Sequence, residues 1–247
     1  MNEHSKPATP MPAKPDWPGL YPVVGKKIVR TFDRPKQEIV DVFKDFFLPD
    51  VAGRVGPMYT MSYTIRPGYS PMPTLVGTAC TVKVQPGDNL MVKKAIYMAQ
   101  PGDVIVIDAR GHMEWCLGGG EMIMVAKSRG VAGIVVDGAY RDLDQIEELG
   151  FPIFLKGISP ATGPKQGPGE LNTTVCCGGV IVKPGDIIMG DREGVIVIPQ
   201  EYAQRVIDEV RKVPEKTMDF ILNEDRGRHA YFDELLASYE FDIVEKA

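Results

Sequence analysis

LGGGEMIMVAKSRGVAGIVVDGAYRD, residues 117–142, is the stretch from which the fold follows. A glycine turn at 118–120 leads into a helical pattern, an apolar run at 132–136 reads as a strand, and Asp137-Gly138 signals a turn. Arg141 and Asp142 then open a second helical pattern, DLDQIEEL, which stops at Gly150. One helix and one strand therefore separate two polar turns, which fold back as neighbours. In a parallel α/β sheet, ligands bind just past the carboxyl ends of strands, so Glu121, Arg141 and Asp142 are read as one candidate site.

Upstream, Pro101-Gly102-Asp103 turns the chain into DVIVIDA, a buried-looking strand that ends at Asp108 and opens the loop RGHMEWCLGGG. Strand 103–108, helix 120–129, strand 132–136, helix 142–149 and strand 152–155 form a βαβαβ run, whose crossovers make the three strands parallel. TLVGTACTVKV (74–84) predicts another strand, and NLMVKKAIYMA (89–99) a helix with Leu90, Met91, Ala95 and Met98 inward. Residues 157–172 read as loop, and TTVCCGGVIVKPGDIIMGDREGVIVIP after them predicts short antiparallel strands. The fold class is thus α/β, a mixed sheet with a parallel βαβαβ core and flanking helices.

From Pro35, PKQEIVDVFKDFF predicts a core helix with Ile39, Val40, Phe43, Phe46 and Phe47 on one face, stopped by Leu48-Pro49. Residues 1–22 hold six prolines and little hydrophobic pattern, which reads as an extended arm. Residues 23–247 read as a single domain with a C-terminal helical extension from about 200, where EYAQRVIDEVRKV is broken near Pro214.

The chain has 247 residues, 44% of them hydrophobic and 25% charged, a composition that supports a sizeable soluble core. A net charge of -5 with Lys and Arg dispersed argues against a nucleic-acid partner. No apolar run approaches the roughly 20 residues of a membrane helix, and MNEHSKPATPMPAKP lacks the apolar core of a signal peptide, so a cytoplasmic protein without a membrane partner is expected.

Cys80, Cys116 and the adjacent Cys176-Cys177 suit neither a disulfide framework nor a CxxC zinc site, and read as buried free thiols. The alternative is a nucleophilic Cys116 with His112 as its base. Arg54 reads as a surface arginine, with a ligand-facing cation as the other possibility. Gly118, Gly119 and Gly120 allow close backbone approach to a ligand, and the helix behind them offers N–H groups and a positive dipole end to a carboxylate.

The runs GDNL, PGDVIVIDA, GGGEMIMVAKSRGVAGIVVDGAYRD and KPGDIIMGDREGVIVIP resemble the RraA-like family over roughly residues 50–200. That family includes class II pyruvate aldolases acting on 4-hydroxy-4-methyl-2-oxoglutarate and 4-carboxy-4-hydroxy-2-oxoadipate, as well as the regulator of ribonuclease activity A. The resemblance implies an RraA-like α/β fold and a divalent-metal retro-aldol cleavage of a small 2-keto acid to pyruvate, with oxaloacetate decarboxylation as a side activity. It implies Mg²⁺ or Mn²⁺ held by Asp142, a substrate site of Gly119, Gly120, Glu121, Met122 and Arg141, and catalytic roles for Arg141 and Glu121. A homotrimer or homohexamer is also implied, with a neighbouring subunit contributing an acid for which Glu215 is the candidate. The chain departs from the family in one place: the usual acid has twenty residues between itself and the arginine, and Gly120 stands there, with Glu121 one step later.

The chemistry also stands without the family. Cleaving C3–C4 of a 2-keto acid leaves a pyruvate enolate, which needs a Lewis acid or a Schiff base. A hard cation on one or two carboxylates suits Asp142 and Glu121, and Arg141 offers a planar fork for a carboxylate. Two rivals are a Schiff-base aldolase using Lys156, at the end of PIFLK, and a non-catalytic regulator that binds a protein partner.

Overall fold

The computed structural model describes residues 24–241 apart from 216, 227 and 240; the arm expected over residues 1–22 lies outside them. Its strands are β1 (Lys26–Ile28), β2 (Arg66–Pro67), β3 (Leu75–Val84), β4 (Asp103–Cys116), β5 (Gly133–Tyr140), β6 (Ile153–Ile158), β7 (Gly169–Leu171), β8 (Val175–Cys177), β9 (Val180–Val182), β10 (Ile187–Asp191) and β11 (Gly194–Ile198). The helices are α1 (Gln37–Val42), α2 (Leu48–Val55), α3 (Leu90–Met98), α4 (Gly120–Ser128), α5 (Leu143–Glu148), α6 (Ala203–Val210), α7 (Met218–Asp225) and α8 (Arg228–Ser238).

The main sheet runs β1-β7-β3-β4-β5-β6-β2, with β10 hydrogen-bonded to β3 and β11 to β10. Its centre is parallel, as expected for β4, β5 and β6, and β3 joins them in the same direction, with Thr78 opposite Asp103, Val104 opposite Gly133 and Ile134 opposite Ile153. Strands buried on both faces need apolar residues at every position, and Val104, Ile105, Val106 and Ile107 are all fully buried. Ile105, Ile107, Ile134 and Val136 face the cluster that includes Ile96, Ile123 and Ile146 from α3, α4 and α5. Val104, Val106, Val135 and Phe154 face the other side, packed with Val175, Val180 and Val182 of the β8–β9 ribbon. A third cluster joins Phe43, Val51, Val206 and Ile207 to Ile187 and Ile196, so α2 and α6 cover β10 and β11.

Several boundaries differ from those read in the sequence. The stretch expected as a loop after Asp108 continues as β4 to Cys116, because register shifts around His112 keep it paired to β5. Arg110 and Gly111, both at positive φ, make the bend. Asp137-Gly138 likewise marks an irregularity inside β5 instead of its end, since pairing to β6 resumes at Ala139. Residues 169–171, expected as loop, form β7 between β1 and β3. Leu48-Pro49 starts α2 instead of stopping α1, as proline in a first turn removes only an N–H that has no intrahelical acceptor. Leu90 and Phe47 lie exposed, and α3 buries Val92, Ala95 and Ile96. The C-terminal extension is helical, as α7 and α8.

Pro-Gly-Asp occurs at 86–88, 101–103 and 184–186, and each turn works through its aspartate, which is nearly inaccessible to solvent. Asp88 accepts the N–H groups of Leu90, Gln166 and Gly167, tying the start of α3 to the 160s loop. Asp103 accepts from Gln100 and pairs with both terminal nitrogens of Arg34. Asp186 accepts from Lys183 and Gln200. Replacing Asp88 with alanine leaves those amides without an acceptor, and one unpaired buried group costs about 1–3 kcal/mol. The expected loss for Asp88→Ala is therefore about 3 kcal/mol of unfolding free energy in urea titration; a change under about 1 kcal/mol would mean that water replaces the carboxylate.

Candidate active site

The triple glycine is explained by what lies against it. A methyl group added at Gly118 would overlap the Tyr140 hydroxyl, one at Gly119 the Asp142 carboxylate, and one at Gly120 the Gln145 carboxamide. The start of α4 and the junction between β5 and α5 thus meet backbone to side chain, with no room for a Cβ. Gly119 itself is extended, at φ -159, so close approach and not backbone freedom requires glycine there.

Hydrogen bonds hold the junction. The Arg141 amide donates to the Gly118 carbonyl at 3.2 Å. Asp142 occupies the cap position of α5 in the left-handed conformation, φ 59 and ψ 41, and its side chain makes no capping bond to that helix. Its Oδ2 instead accepts the Gly120 N–H at 3.1 Å and lies 3.4 Å from Arg141 Nε. The carboxylate therefore caps the neighbouring helix, satisfying one first-turn donor of α4 and sitting at its positive dipole end. A non-glycine residue held at positive φ costs on the order of 1–3 kcal/mol, and such strain persists where surrounding contacts over-determine it. Arg141 is steadied by a bond from Nη1 to the Pro160 carbonyl, 3.3 Å. Both side chains remain 41% exposed, so the pair adds little stability and stays open to a ligand.

The junction brings together Gly119, Gly120, Arg141 and Asp142, and adds Tyr140 and Gln145, which the sequence did not single out. For Gln145 the one available signal was its position three residues after Asp142, one turn along the same face. Glu121 and Met122 lie elsewhere: they line a groove with Lys93, Ile96, Tyr97 and Val125, on the side of α4 that meets α3. Glu215 lies beside Phe46, Phe47, Asp50 and Pro214. Arg54 is exposed, its Nε directed to the Glu209 carbonyl at 3.5 Å.

Lys156 projects on the sheet face covered by β8 and β9, where its Nζ is 3.3 Å from Asp137 Oδ1. Asp137 also accepts the Gly178 N–H, and Asp108 the Cys176 N–H. The two aspartates thus tie the ribbon to the sheet, and Lys156 pairs with one of them. Cys80, Cys116 and Cys177 are buried free thiols, whereas Cys176 is exposed, a correction to the expectation of four buried ones. Burial pushes the Cys80 thiol up to about 12. Burial also raises Cys116, with the nearby Arg141 pulling less strongly the other way. A nucleophile needs the opposite shift. His112 Nε2 accepts the Trp115 N–H at 3.2 Å, which engages the lone pair a base would use.

The Tyr140 hydroxyl is fully buried and has no hydrogen-bond partner among the described residues. Burial raises its pKa. Tyr140→Phe removes an unpaired buried group, so it should raise stability by about 1 kcal/mol, or a few degrees in a thermal melt. A lower melting temperature would show that the hydroxyl has a partner.

Among the described residues no group of three or more His, Cys, Asp or Glu is placed to hold a metal ion, and no helix is long and apolar enough to cross a membrane. A Halalkalibacterium halodurans protein provisionally named 4-hydroxy-4-methyl-2-oxoglutarate aldolase is 48% identical over 138 residues, 56% of this chain and 66% of that protein. A Thermus thermophilus protein named 4-hydroxy-4-methyl-2-oxoglutarate aldolase is 31% identical over 113 residues, 46% of this chain and 69% of that protein. The crystal structure of Streptomyces coelicolor RraAS2, described as an unusual member of the RNase ES inhibitor RraA protein family, superposes with a TM-score of 0.64 at 25% identity. The match covers 83% of this chain and 99% of that one. Residues 38–197 match the RraA-like family, described as Aldolase/RraA, and the chain belongs to that family.

Proposed function

We propose that this chain is a divalent-metal-dependent carbon–carbon lyase that releases pyruvate from a 4-hydroxy-2-keto acid of the 4-hydroxy-4-methyl-2-oxoglutarate or 4-carboxy-4-hydroxy-2-oxoadipate type, and that it also decarboxylates oxaloacetate. The observation that carries this reading is the locked junction of Gly118–Gly120 with Arg141 and Asp142, where a guanidinium and a carboxylate, both partly exposed, converge at a helix N-terminus.

Every pyruvate-yielding substrate carries a 1-carboxylate and a 2-keto oxygen. Arg141 binds the carboxylate through donors that its contact with Pro160 leaves available, and the start of α4 favours the negative charge electrostatically. Asp142 fits a hard cation, since Mg²⁺ or Mn²⁺ is held by one or two carboxylates with several waters and needs no closed cage of protein ligands. Bound there, such an ion would supply Lewis-acid stabilisation of the charge that develops on the keto oxygen. When C3–C4 breaks, its electron pair passes to the enolate; C4 leaves as a carbonyl compound as the 4-hydroxyl gives up its proton, or from oxaloacetate as carbon dioxide, and a proton added at C3 completes pyruvate. Gly119 and Gly120 let the Asp142 carboxylate and the Gln145 carboxamide lie directly against the start of α4. Glu121 lies toward α3, so we give it an electrostatic role at the first turn of α4 and no contact with the reacting atoms. Assembly as a trimer or a hexamer belongs to the same proposal. A second reading, a regulator that binds a protein partner, draws on the description of the Streptomyces protein as a member of an RNase-inhibitor family; it predicts partner binding that survives substitution of Arg141.

The decisive assay supplies 4-hydroxy-4-methyl-2-oxoglutarate, 4-carboxy-4-hydroxy-2-oxoadipate and oxaloacetate with Mg²⁺ and follows pyruvate through lactate dehydrogenase. EDTA should abolish pyruvate release and Mg²⁺ or Mn²⁺ restore it, and Asp142→Asn should fold normally yet stay inactive. An EDTA-insensitive wild type removes the metal from the proposal. Arg141→Lys keeps charge but loses the planar fork, so kcat/KM should fall by about 2–4 kcal/mol in transition-state terms, the scale of one preorganised electrostatic contact. A fall of less than about fivefold, roughly 1 kcal/mol, would take Arg141 out of the reacting centre.

A further inference from the structure

The position where a side chain at residue 120 would lie is filled by the carboxamide of Gln145. Gln145 stands on α5, three residues after Asp142, with its side chain brought across to the start of α4. The spot is faced by the backbone of Gly119 and Gly120, by Arg141, by Asp142 and by Gln145. Of these only Asp142 carries a carboxylate, and its Oδ2 is already engaged by the Gly120 N–H and by Arg141.

We infer that Gln145 is the specificity-determining residue of this site, and that its neutral carboxamide sets the balance between the two reactions of the proposed lyase, slowing the loss of C4 as a carbonyl compound relative to its loss as carbon dioxide while leaving both open. The inference rests on the lyase reading above. In retro-aldol cleavage the 4-hydroxyl must give up its proton as C3–C4 breaks: the O–H pair becomes the new C=O bond, the C3–C4 pair becomes the enolate, and a base carries the proton away. In decarboxylation the C4 carboxylate is already ionised, carbon dioxide leaves, and the C3–C4 pair becomes the same enolate with no proton to remove. A proton acceptor placed at the leaving carbon thus accelerates only the first reaction. A carboxamide is not basic at neutral pH, so at this position the wild-type protein has none.

Gln145→Glu changes one atom type and keeps the shape, on an exposed side chain, so it tests the chemistry without disturbing the packing. The readout is the ratio of kcat/KM for 4-hydroxy-4-methyl-2-oxoglutarate to that for oxaloacetate, each with Mg²⁺. Wild type should favour oxaloacetate. Gln145→Glu should raise the ratio at least about tenfold, a modest share of the 10²–10⁴ associated with a positioned general base. Its retro-aldol rate should also gain a limb that rises as the new carboxyl ionises, absent from wild type and from Gln145→Ala. Pyruvate formation with an unmoved ratio and an unchanged pH profile, or a wild type that prefers the aldol substrate, overturns the role of Gln145 and leaves the lyase reading in place. Absence of pyruvate from every substrate overturns the lyase reading, and this inference with it.

Discussion

The contact between the Gly120 amide and the Asp142 carboxylate is the constraint on which the site depends. It joins the beginning of one helix to the beginning of the next, across the strand between them. Because the partner of the amide is a side chain from another element, α4 can start only where β5 delivers Asp142. The left-handed backbone at Asp142 follows from the same requirement: its carboxylate has to turn away from its own helix and toward α4. Strain at that residue is thereby coupled to the placement of Arg141, whose amide is held by Gly118.

The sheet beneath makes this arrangement possible. β4, β5 and β6 are parallel and buried on both faces, so their carboxyl ends lie along one edge, and the faces above and below are already committed to packing. Polar residues at that edge divide by face. Asp108, Asp137 and Lys156 sit on the side of the β8–β9 ribbon, where the two aspartates accept N–H groups of the ribbon and its turn and Lys156 pairs with Asp137. Arg141 and Asp142 lie past the end of β5, beyond the reach of either packed layer, and keep a substantial exposed surface. Side chains with comparable chemistry in the sequence thus acquire different roles from their phase along a strand.

The same distinction separates the thiols from catalysis. Cys116 lies close to the site in sequence and in space, yet its burial favours the neutral form, and Arg141 is too weak a counterweight to reverse that. Its backbone, hydrogen-bonded to Ala161, holds the end of β4 against the 160s loop, and the residue contributes by packing.

What the sequence determined by itself was local and periodic. The apolar run DVIVID required a strand buried on both faces, the turn dipeptides set the order of elements, and the short crossovers required parallel strands; each depends on spacings of a few residues. Its motifs also carried the family. Where the reading failed, the deciding contact was between residues distant in the chain. Strand β4 ran past Asp108 because pairing to β5 survived two register shifts, and no periodicity in RGHMEWC announces that. Glu121 was read into the site from proximity in sequence, but helix phase turns it toward α3. The three glycines were read as room for a ligand; the tertiary structure shows three side chains, Tyr140, Asp142 and Gln145, already pressed against them. Which side chain fills a given space depends on how two elements approach, and that distance and angle are set by packing of the whole core, beyond the range of any local pattern.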